Sequence, residues 1–313
     1  MTAVVTLTPN PSLDLSTTVD RVMPTHKLRC GAARRDPGGG GINVARVIRR
    51  LGGEVTAIYP CGGATGQLLA KLVEREHIVS RTSEMADETR QDFSVHEDTS
   101  GKQFRFVLPG PMVAEHEWRA CLDTFAACAA NADFVVGSGS LPPGAPPDFY
   151  ARANRIVKSG RGKFLLDTSG PALKAALAEG VYLIKPSLRE LCEAAGELLD
   201  GETEWIRACA GLVKDLRAEI VALTLGHRGA LLVTRDRVIR AEPPPITPLS
   251  SVGAGDSFLG AAVWALAAGH DLADVLRFGV AAGSSAVLNP GTELAHPDDT
   301  RRLLDAVTIR ELN

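Results

Sequence analysis

Short apolar runs, rich in β-branched residues, alternate along this chain with longer helix-forming stretches. The runs predict strands at 3–8, 55–60, 133–137, 163–167, 181–185, 219–224 and 230–234. The stretches predict helices at 42–51, 64–76, 114–130, 147–159, 187–197, 204–216, 256–268 and 271–288. This alternation is typical of an α/β fold with a doubly wound, mainly parallel sheet and helices on both faces. Ligands bind to such sheets beyond the carboxyl ends of the strands.

Two regions, at about 14–36 and 90–108, interrupt the alternation of strands and helices. The second predicts a hairpin, because Phe93, Phe104 and Phe106 alternate with polar residues on either side of a turn. A chain of 313 residues is long enough for one large domain, and no internal repeat or low-complexity linker divides it. We therefore expect one domain over 1–313 with a small antiparallel β lid, made by both insertions, over the ligand edge of the sheet.

The composition argues against several classes of function. A net charge of −3 gives no reason to expect nucleic acid or an anionic membrane as the main partner. The six cysteines are scattered without a C-x-x-C pair, and there is no H-E-x-x-H pattern, which predicts reduced thiols and no transition-metal site built by the protein. The chain has no basic leader and no apolar segment long enough for a membrane span, so we expect a cytoplasmic protein.

A late glycine-rich segment at 250–261 reads S-S-V-G-A-G-D-S-F-L-G-A and leads into an apolar, helix-forming stretch. It predicts a helix N-terminus whose free backbone N–H groups and dipole attract an anion. Gly253 and Gly255 let a ligand approach the backbone closely. Asp256 can orient and deprotonate a hydroxyl that attacks phosphorus, or it can simply cap the helix. We expect the helix dipole to depress the pKa of Asp256.

An early glycine block, P-G-G-G-G-I-N at 37–43, precedes another helix. The glycines allow close approach of a ligand, and the Asn43 carboxamide offers both a donor and an acceptor at the helix start. The alternative is a flexible turn. The block does not match the G-x-G-x-x-G dinucleotide pattern, which disfavours a nicotinamide-dependent dehydrogenase, and no P-loop motif occurs in the chain.

Two further segments follow predicted strands. K-P-S-L-R-E at 185–190 opens a helix and places Glu190 in its first turn, where an acid either complements the helix dipole or holds water on Mg²⁺. T-L-G-H-R-G at 224–229 is a tight turn between two strands. It is either an ordinary turn or one from which Thr224 reaches a nucleotide phosphate.

Taken in this order, the motifs resemble those of the PfkB-type (ribokinase-like) carbohydrate kinases. The similarity runs from T-L-T-P-N-P-S-L-D at 6–14 to N-P-G-T at 289–292, and the two glycine-rich blocks are its most specific parts. Within the family, residues 27–32 and 36–41 are most similar to those of the minor bacterial ATP-dependent 6-phosphofructokinases. The related 1-phosphofructokinases and tagatose-6-phosphate kinases typically carry Lys where this chain has Gly40.

The resemblance implies a role for each motif. Asp256 is the catalytic base, and the amides of Gly253, Ala254 and Gly255 form an anion hole. The sugar side is implied to comprise Asp14, Lys27, Arg29, Gly39, Asn43, Arg90 and Gly139. The ATP side is implied to comprise Lys27, Lys185, Ser187, Thr224, Gly226 and Gly229. Glu190 is implied to organise Mg²⁺ through water, and carbonyls near Ser250, Val252, Ala286, Asn289 and Gly291 to bind a monovalent cation, K⁺.

One position departs from the family pattern. The family motif N-x-x-E reads S-L-R-E at 187–190, so a hydroxyl at Ser187 replaces the carboxamide. Because Glu190 remains, we expect a weaker response to Mg²⁺ and not a loss of activity.

The expected reaction is transfer of the γ-phosphoryl group of MgATP to a sugar phosphate, as in glycolysis. The positive lid residues Lys27, Arg29, Arg90 and Arg105 favour fructose 6-phosphate as the acceptor. Tagatose 6-phosphate, fructose 1-phosphate or an unphosphorylated sugar are alternative acceptors. A non-catalytic regulator that binds a sugar phosphate is an alternative of a different class. The lid phenylalanines predict a homodimer in which the lids pack together, because an exposed apolar face is costly in water.

Overall fold

The computed structural model describes residues 2–289 and 293–312. The strands of this part of the chain are β1 (Val4–Leu7), β2 (Ser12–Val19), β3 (Arg34–Gly38), β4 (Val55–Cys61), β5 (Val79–Glu84), β6 (Arg90–Glu97), β7 (Gln103–Phe106), β8 (Phe134–Ser138), β9 (Lys163–Asp167), β10 (Val181–Ile184), β11 (Ala218–Thr224), β12 (Ala230–Val233), β13 (Val238–Glu242) and β14 (Thr308–Leu312). Its α-helices are α1 (Gly40–Arg50), α2 (Gly63–Arg75), α3 (Glu115–Ala129), α4 (Phe149–Lys158), α5 (Gly170–Ala178), α6 (Leu188–Ala195), α7 (Glu202–Lys214), α8 (Ala254–Ala267), α9 (Leu272–Val287) and α10 (Pro297–Leu304).

The central sheet has the strand order β14-β13-β12-β11-β10-β9-β8-β1-β4-β5. The seven strands from β11 to β5 in this order run parallel, and β12, β13 and β14 add an antiparallel edge. Parallel strands need crossover connections, which the helices supply. The predicted doubly wound, mainly parallel sheet is therefore confirmed.

Helices cover both faces of this sheet. Alternate residues of β1 point to opposite layers, so Val4 packs with α1, α2, α8, α9 and α10, whereas Val5 and Leu7 pack with α3 to α7. Burial on both faces explains why the central strands are nearly continuous apolar runs. No helix of the described residues is long and apolar enough to cross a lipid bilayer.

The predicted strands and helices are all present, within about two residues at each end, which is the usual scatter of such boundaries. The sequence prediction missed β5, β13, β14, α5 and α10 in these layers. The strand β5 reads V-S-R-T-S-E and β14 reads T-I-R-E-L, and both lie at the edges of the sheet with most side chains outside the core. Because an edge strand does not bury its side chains, it lacks the apolar run by which a strand is recognised.

The two insertions form the expected second sheet, with the strand order β3-β2-β6-β7. The pairs β2–β3 and β6–β7 are antiparallel, whereas the central pair β2–β6 is parallel. In the β6–β7 hairpin Phe93 lies opposite Phe106 and Val95 opposite Phe104. We call this four-stranded sheet the lid.

Two side-chain contacts join the lid to the segments around the start of α8. The Ser250 hydroxyl, just before α8, donates to the side-chain oxygen of Gln103 on β7 at 3.0 Å. Arg34 on β3 forms an ion pair with Glu293, which follows α9. The lid is therefore anchored to the main body on both sides of the glycine-rich turn.

The helices α1 and α8 pack closely against each other, and Gly260 lies at their contact. A Cβ atom at this position would stand 2.7 Å from the Val47 Cβ and 3.0 Å from the Val44 carbonyl oxygen. The backbones of the two helices can approach this closely only because residue 260 has no side chain.

We expect Gly260→Ala to lower the free energy of unfolding by about 1–3 kcal/mol, because the added methyl group forces the helices apart. Gly211→Ala is the matched control. Gly211 also lies within a helix, α7, but a Cβ there would meet no atom within 4 Å. Gly211→Ala should therefore stabilise the protein by roughly 0.5–1 kcal/mol through helix propensity. Urea unfolding of the two variants tests this, and equal stabilities would contradict the close packing at Gly260.

Candidate active site

The two glycine-rich segments meet at one point of the structure. Gly39 precedes α1 with φ 104° and Gly253 precedes α8 with φ 74°, conformations that favour glycine. The Asn43 side-chain amide in α1 donates a hydrogen bond of 2.9 Å to Oδ2 of Asp256 in α8. Residues 213 positions apart in the chain thus form a single site at the carboxyl ends of the parallel strands.

The N-terminus of α8 provides the predicted anion-binding features. Its first turn leaves backbone N–H groups of Gly253, Ala254 and Gly255 without intrahelical acceptors. A Cβ on Gly255 would lie 3.4 Å from the Lys185 Nζ, so a lysine ammonium stands beside this turn. Free N–H groups, the positive end of a helix and an ammonium group together favour a negatively charged ligand.

The predicted depression of the Asp256 pKa is wrong. Burial, together with the nearby Asp167 carboxylate, raises the pKa of Asp256 to about 6. The Asn43 hydrogen bond and the Lys185 ammonium lower the pKa, but their effect is smaller. The loss of hydration and the repulsion by a neighbouring acid therefore outweigh every group that favours the charged form.

Asp167, at the end of β9, is a site residue that the sequence analysis missed. Its carboxylate forms an ion pair with Lys185, in which Oδ1 lies 3.2 Å from the lysine Nζ, and both side chains are largely buried. Burial lowers the pKa of Lys185, but the carboxylates of Asp167, Glu190 and Asp256 outweigh it and raise the pKa, so the ammonium stays charged. The available signal was an acid directly after the apolar run F-L-L, at the carboxyl end of a parallel strand.

The sugar-side residues come from the lid and from the early glycine block. Asp14 on β2 is buried, accepts a 2.6 Å hydrogen bond from the Ser12 hydroxyl, and has its pKa raised by burial to about 6. A Cβ on Gly38 would stand 2.3 Å from the Asp14 carboxylate, and one on Gly40 would stand 2.2 Å from the Ser138 hydroxyl. Gly39 (φ 104°) and Gly139 (φ 112°) lie beside these two glycines. The block consists of glycines because a side chain there would collide with the neighbouring residues.

The structure separates the four predicted cations of the lid, of which Arg105 lies exposed on β7. The Arg90 guanidinium lies in the lid, where it pairs with Asp92 and donates to the carbonyls of Leu108 and Asn10 at 2.7 and 3.1 Å. Its buried Nε has no hydrogen-bond partner. Lys27 and Arg29 lie exposed in the connection between β2 and β3, and neither makes a hydrogen bond or ion pair within residues 2–289 and 293–312.

A cavity of about 1300 Å³ reaches Ala254 and Gly255, the two residues before Asp256. All the predicted ATP-side residues except Lys27 line it, namely Lys185, Ser187, Thr224, Gly226 and Gly229, together with Glu190 and Asp167. Thr224 is held against the start of the Ser187 loop by hydrogen bonds from its amide and hydroxyl to the Pro186 carbonyl, of 2.9 and 3.2 Å. The cavity is large enough for a nucleoside triphosphate, and it extends to the glycine-rich turn at the start of α8.

Ser187 and Glu190 interact with each other. The Ser187 amide and hydroxyl donate to the same carboxylate oxygen of Glu190, at 2.8 and 2.9 Å, and Ser187 caps α6. The described residues contain no cluster of three or more His, Cys, Asp or Glu side chains that could hold a metal alone. Asp167 and Glu190 nevertheless line one cavity, and Mg²⁺ commonly uses one or two carboxylates with water and substrate phosphates. These residues therefore fit a Mg²⁺ ion that arrives with its nucleotide.

The segments predicted to bind a monovalent cation lie side by side. The amides of Leu249 and Ser250 donate to the Val287 carbonyl at 2.7 and 3.3 Å, which places 249–252 against the end of α9, next to Ala286 and Asn289. The carbonyl end of a helix favours a cation. Gly291 lies outside the described residues.

Comparison with known proteins agrees with this geometry. ATP-dependent 6-phosphofructokinase isozyme 2 of Mycobacterium tuberculosis (strain H37Rv) is 46% identical over 96% of this chain and 89% of its own. The protein of that name from Escherichia coli (strain K12) is 42% identical over 97% of this chain and 98% of its own. A 1-phosphofructokinase from Xanthomonas campestris is more distant, with 32% identity over 82% of this chain and 81% of its own.

Solved structures also match. The crystal structure of phosphofructokinase-2 from Escherichia coli in complex with substrates and products has a TM-score of 0.93 and 42% identity, covering 96% of this chain and 98% of that one. Structures of the Escherichia coli protein with potassium, with fructose-6-phosphate and in a tetrameric inhibited form have TM-scores of 0.94, 0.92 and 0.92 and identities of 42%, 40% and 41%. Each of the three covers 97% of this chain and 99% of its own.

The sequence model of the pfkB family carbohydrate kinases matches residues 8–299, which include Asp14, both glycine-rich segments and Asp256. This match, the identity of 46% to a curated relative and the architecture all agree. The chain belongs to the pfkB family of carbohydrate kinases.

Proposed function

We propose that this protein is an ATP-dependent 6-phosphofructokinase, a phosphotransferase that converts fructose 6-phosphate and ATP to fructose 1,6-bisphosphate and ADP. The observation that carries the proposal is the position of Asp256, beside a helix N-terminus and between the lid residue Asp14 and the nucleotide-sized cavity. The two relatives with 46% and 42% identity carry this activity in their names, whereas the 1-phosphofructokinase is 32% identical. The proposal treats 1–313 as one kinase domain with its two lid insertions.

In the proposed reaction the primary hydroxyl of the sugar attacks the γ-phosphorus of ATP. An oxygen–phosphorus bond forms, the bond from the γ-phosphorus to the bridging oxygen breaks, and ADP leaves with that oxygen. Asp256 accepts the hydroxyl proton, while the amides at 253–255 and the Lys185 ammonium stabilise charge on the transferred group. Asp167 and Glu190 would hold Mg²⁺, which neutralises phosphate charge. Ser187 donates two hydrogen bonds to one carboxylate oxygen of Glu190, so that oxygen is less available to water on Mg²⁺. This supports the expected weaker response to Mg²⁺.

The charge of the lid supports a phosphorylated acceptor. Ser12 orients Asp14 to accept a hydrogen bond from a sugar hydroxyl. Arg90 and Arg105 lie close enough to Asp14 to offset part of the rise that burial causes in its pKa. Arg90, with one unpartnered buried N–H, and the exposed Lys27 and Arg29 supply cationic donors for a phosphate group. A neutral ketose needs no such charge. K⁺ would bind beside Ser250, Val252, Ala286 and Asn289, as a potassium complex of the Escherichia coli protein supports.

The first test is ADP release with a panel of acceptors: fructose 6-phosphate, tagatose 6-phosphate, fructose 1-phosphate, fructose and ribose. We expect fructose 6-phosphate to have the highest kcat/KM. In Asp256→Asn, kcat should fall by about 10²–10⁴-fold because general base catalysis is lost, while ATP still binds.

Asp236→Asn, which removes an exposed acid on the β12–β13 turn, is the matched control and should leave kcat unchanged. Near-normal turnover in Asp256→Asn would remove Asp256 from the mechanism. A different preferred sugar would support one of the other kinases, and binding without ADP release would support a regulator.

The second test is the pH dependence of kcat/KM. Because Asp256 must be ionised to accept a proton and its pKa is raised to about 6, kcat/KM should decline as the pH falls through that value. Asp14 is one of the acids that raise this pKa. In Asp14→Asn the decline should therefore move to lower pH. Ionisation of the sugar phosphate is common to both enzymes, so a decline at the same pH in both would contradict this origin.

We further propose that the protein forms a homodimer through its lids. In the isolated chain Phe93, Phe106, Val107 and Leu108 are 41%, 54%, 58% and 45% exposed, and they adjoin one another on β6, β7 and the following residues. Contiguous apolar surface of this kind marks an interaction site. The tetrameric form of the Escherichia coli protein supports self-association in this family.

Light scattering at micromolar concentration tests the dimer. We expect Phe106→Arg to convert the dimer to a monomer, because a charge would be buried in the interface. Leu198→Arg is the matched control, since Leu198 is 92% exposed and lies in the loop after α6, outside the lid. A wild-type protein that is monomeric at this concentration would refute the proposal.

A further inference from the structure

Behind the early glycine block lies a buried charge that the proposed reaction does not use. The side chain of Arg46, on α1, is only 2% exposed. A buried guanidinium is very costly unless ionic and hydrogen-bonding partners surround it. The sequence does not reveal these partners, because the two acids that contact Arg46, Asp36 and Glu76, lie on other elements.

The Arg46 guanidinium contacts groups from three segments: β3, α1 itself and the end of α2. Its Nε and one terminal nitrogen meet Oε1 of Glu76, just after α2, at 2.9 and 2.8 Å, and the Asp36 carboxylate on β3 lies at 3.6 Å. The other terminal nitrogen donates to the Pro37 carbonyl at 3.0 Å and to Oδ1 of Asn43 at 3.3 Å. Arg46 thus holds both the start of the glycine block and the carboxamide that contacts Asp256.

These contacts determine which way the Asn43 carboxamide faces. Its oxygen accepts from Arg46, and its nitrogen donates to Asp256 at 2.9 Å. Rotating the amide by half a turn would place the oxygen against the Asp256 carboxylate and the NH₂ group against the guanidinium. Both contacts would then be repulsive, since a carboxylate only accepts and a guanidinium only donates. A hydrogen-bonded series therefore runs from Glu76 through Arg46 and Asn43 to Asp256.

We propose that Arg46 is a positioning residue for phosphoryl transfer, acting through Asn43 to orient the carboxylate of Asp256 towards the acceptor hydroxyl. This inference rests on the proposed function, because the orientation of Asp256 matters only if that carboxylate accepts the proton. The effect on the reaction is indirect, since Arg46 is buried and does not line the cavity. A displacement of about 1 Å at a reacting group is enough to slow catalysis strongly.

Arg50 provides a matched control within the same helix. It donates to the same Glu76 carboxylate, at 2.8 Å, and is also mostly buried, but it makes no contact with Asn43 or Pro37. Loss of Arg50 therefore weakens the anchoring of Glu76 without disturbing the Asn43 amide. The comparison of variants at positions 46 and 50 separates a positioning role from a contribution to stability alone.

The experiment compares Arg46→Lys, Arg50→Lys and wild type. Lysine keeps the positive charge, so the protein should fold, but one ammonium cannot reach Glu76, Pro37 and Asn43 together. We expect Arg46→Lys to lower kcat roughly 10-fold or more, as for loss of one charge-assisted hydrogen bond, with KM for ATP within about 2-fold of wild type. Arg50→Lys should keep the wild-type kcat.

A second readout is independent of activity. The titration of the Asp256 carboxyl is followed by ¹³C NMR and assigned with Asp256→Asn. Besides Asn43, the charged groups that face Asp256 are Asp167, Lys185 and Asp14, and none of them is altered in these variants. The Asn43 hydrogen bond lowers the pKa of Asp256, so weakening that bond in Arg46→Lys should move the titration to higher pH. In Arg50→Lys the titration should not move.

The double variant with Asn43→Ser completes the test. If Arg46 acts through Asn43, adding Arg46→Lys to Asn43→Ser should reduce kcat no further. Additive losses, or a lower melting temperature in Arg46→Lys with unchanged kcat and titration, would overturn the positioning role. Full activity of Asp256→Asn would instead refute the proposed base, and the NMR titration would still report whether Arg46 controls the Asp256 carboxyl.

Discussion

The close contact between α1 and α8 is the constraint on which the site depends. Each helix begins at the carboxyl edge of the parallel sheet, directly after a glycine with positive φ. Gly260 allows the two backbones to approach, which brings Asn43 within hydrogen-bonding distance of Asp256. If the helices were farther apart, the two glycine blocks would be separate anion sites, and no group would orient the acid at the start of α8.

The electrostatics of the site are set by acids held close together. Asp14 and Asp167 both raise the pKa of Asp256, and Glu190 lies near enough to influence Lys185. Three carboxylates, of Asp167, Glu190 and Asp256, act on the one buried ammonium of Lys185, which leaves an excess of negative charge that burial makes costly. In the proposed reaction a divalent cation beside Asp167 and Glu190 would offset this charge as the triphosphate enters. Burial, reinforced by these neighbouring acids, gives Asp256 a pKa close to the pH at which a proton acceptor works well.

In the proposed function, the lid links substrate binding to self-association. Its inner surface supplies Asp14 and Arg90, while its outer surface exposes the apolar residues around Phe106. Gln103 and Arg34 tie the same sheet to the segments on either side of the α8 turn. Lid position, sugar binding and the geometry of the glycine turn are therefore parts of one structural unit.

The sequence by itself determined the fold class and indicated the candidate site residues, because both depend on local patterns. Buried strands and amphipathic helices have their own periodicities, and a glycine block before a helix is a local signal. The polar edge strands β5 and β14 lack that signal, since the sheet and not the sequence of the strand decides their conformation.

Only the tertiary structure decided the environment of each site residue. The dipole argument predicted a depressed pKa for Asp256 because it considered one helix, whereas burial and Asp167 come from other elements and reverse the direction. Asp167 and Arg46 were missed for the same reason, since their partners are distant in the chain. Local patterns specify which groups are present, but desolvation and charge–charge interactions depend on distances that exist only after the chain has folded.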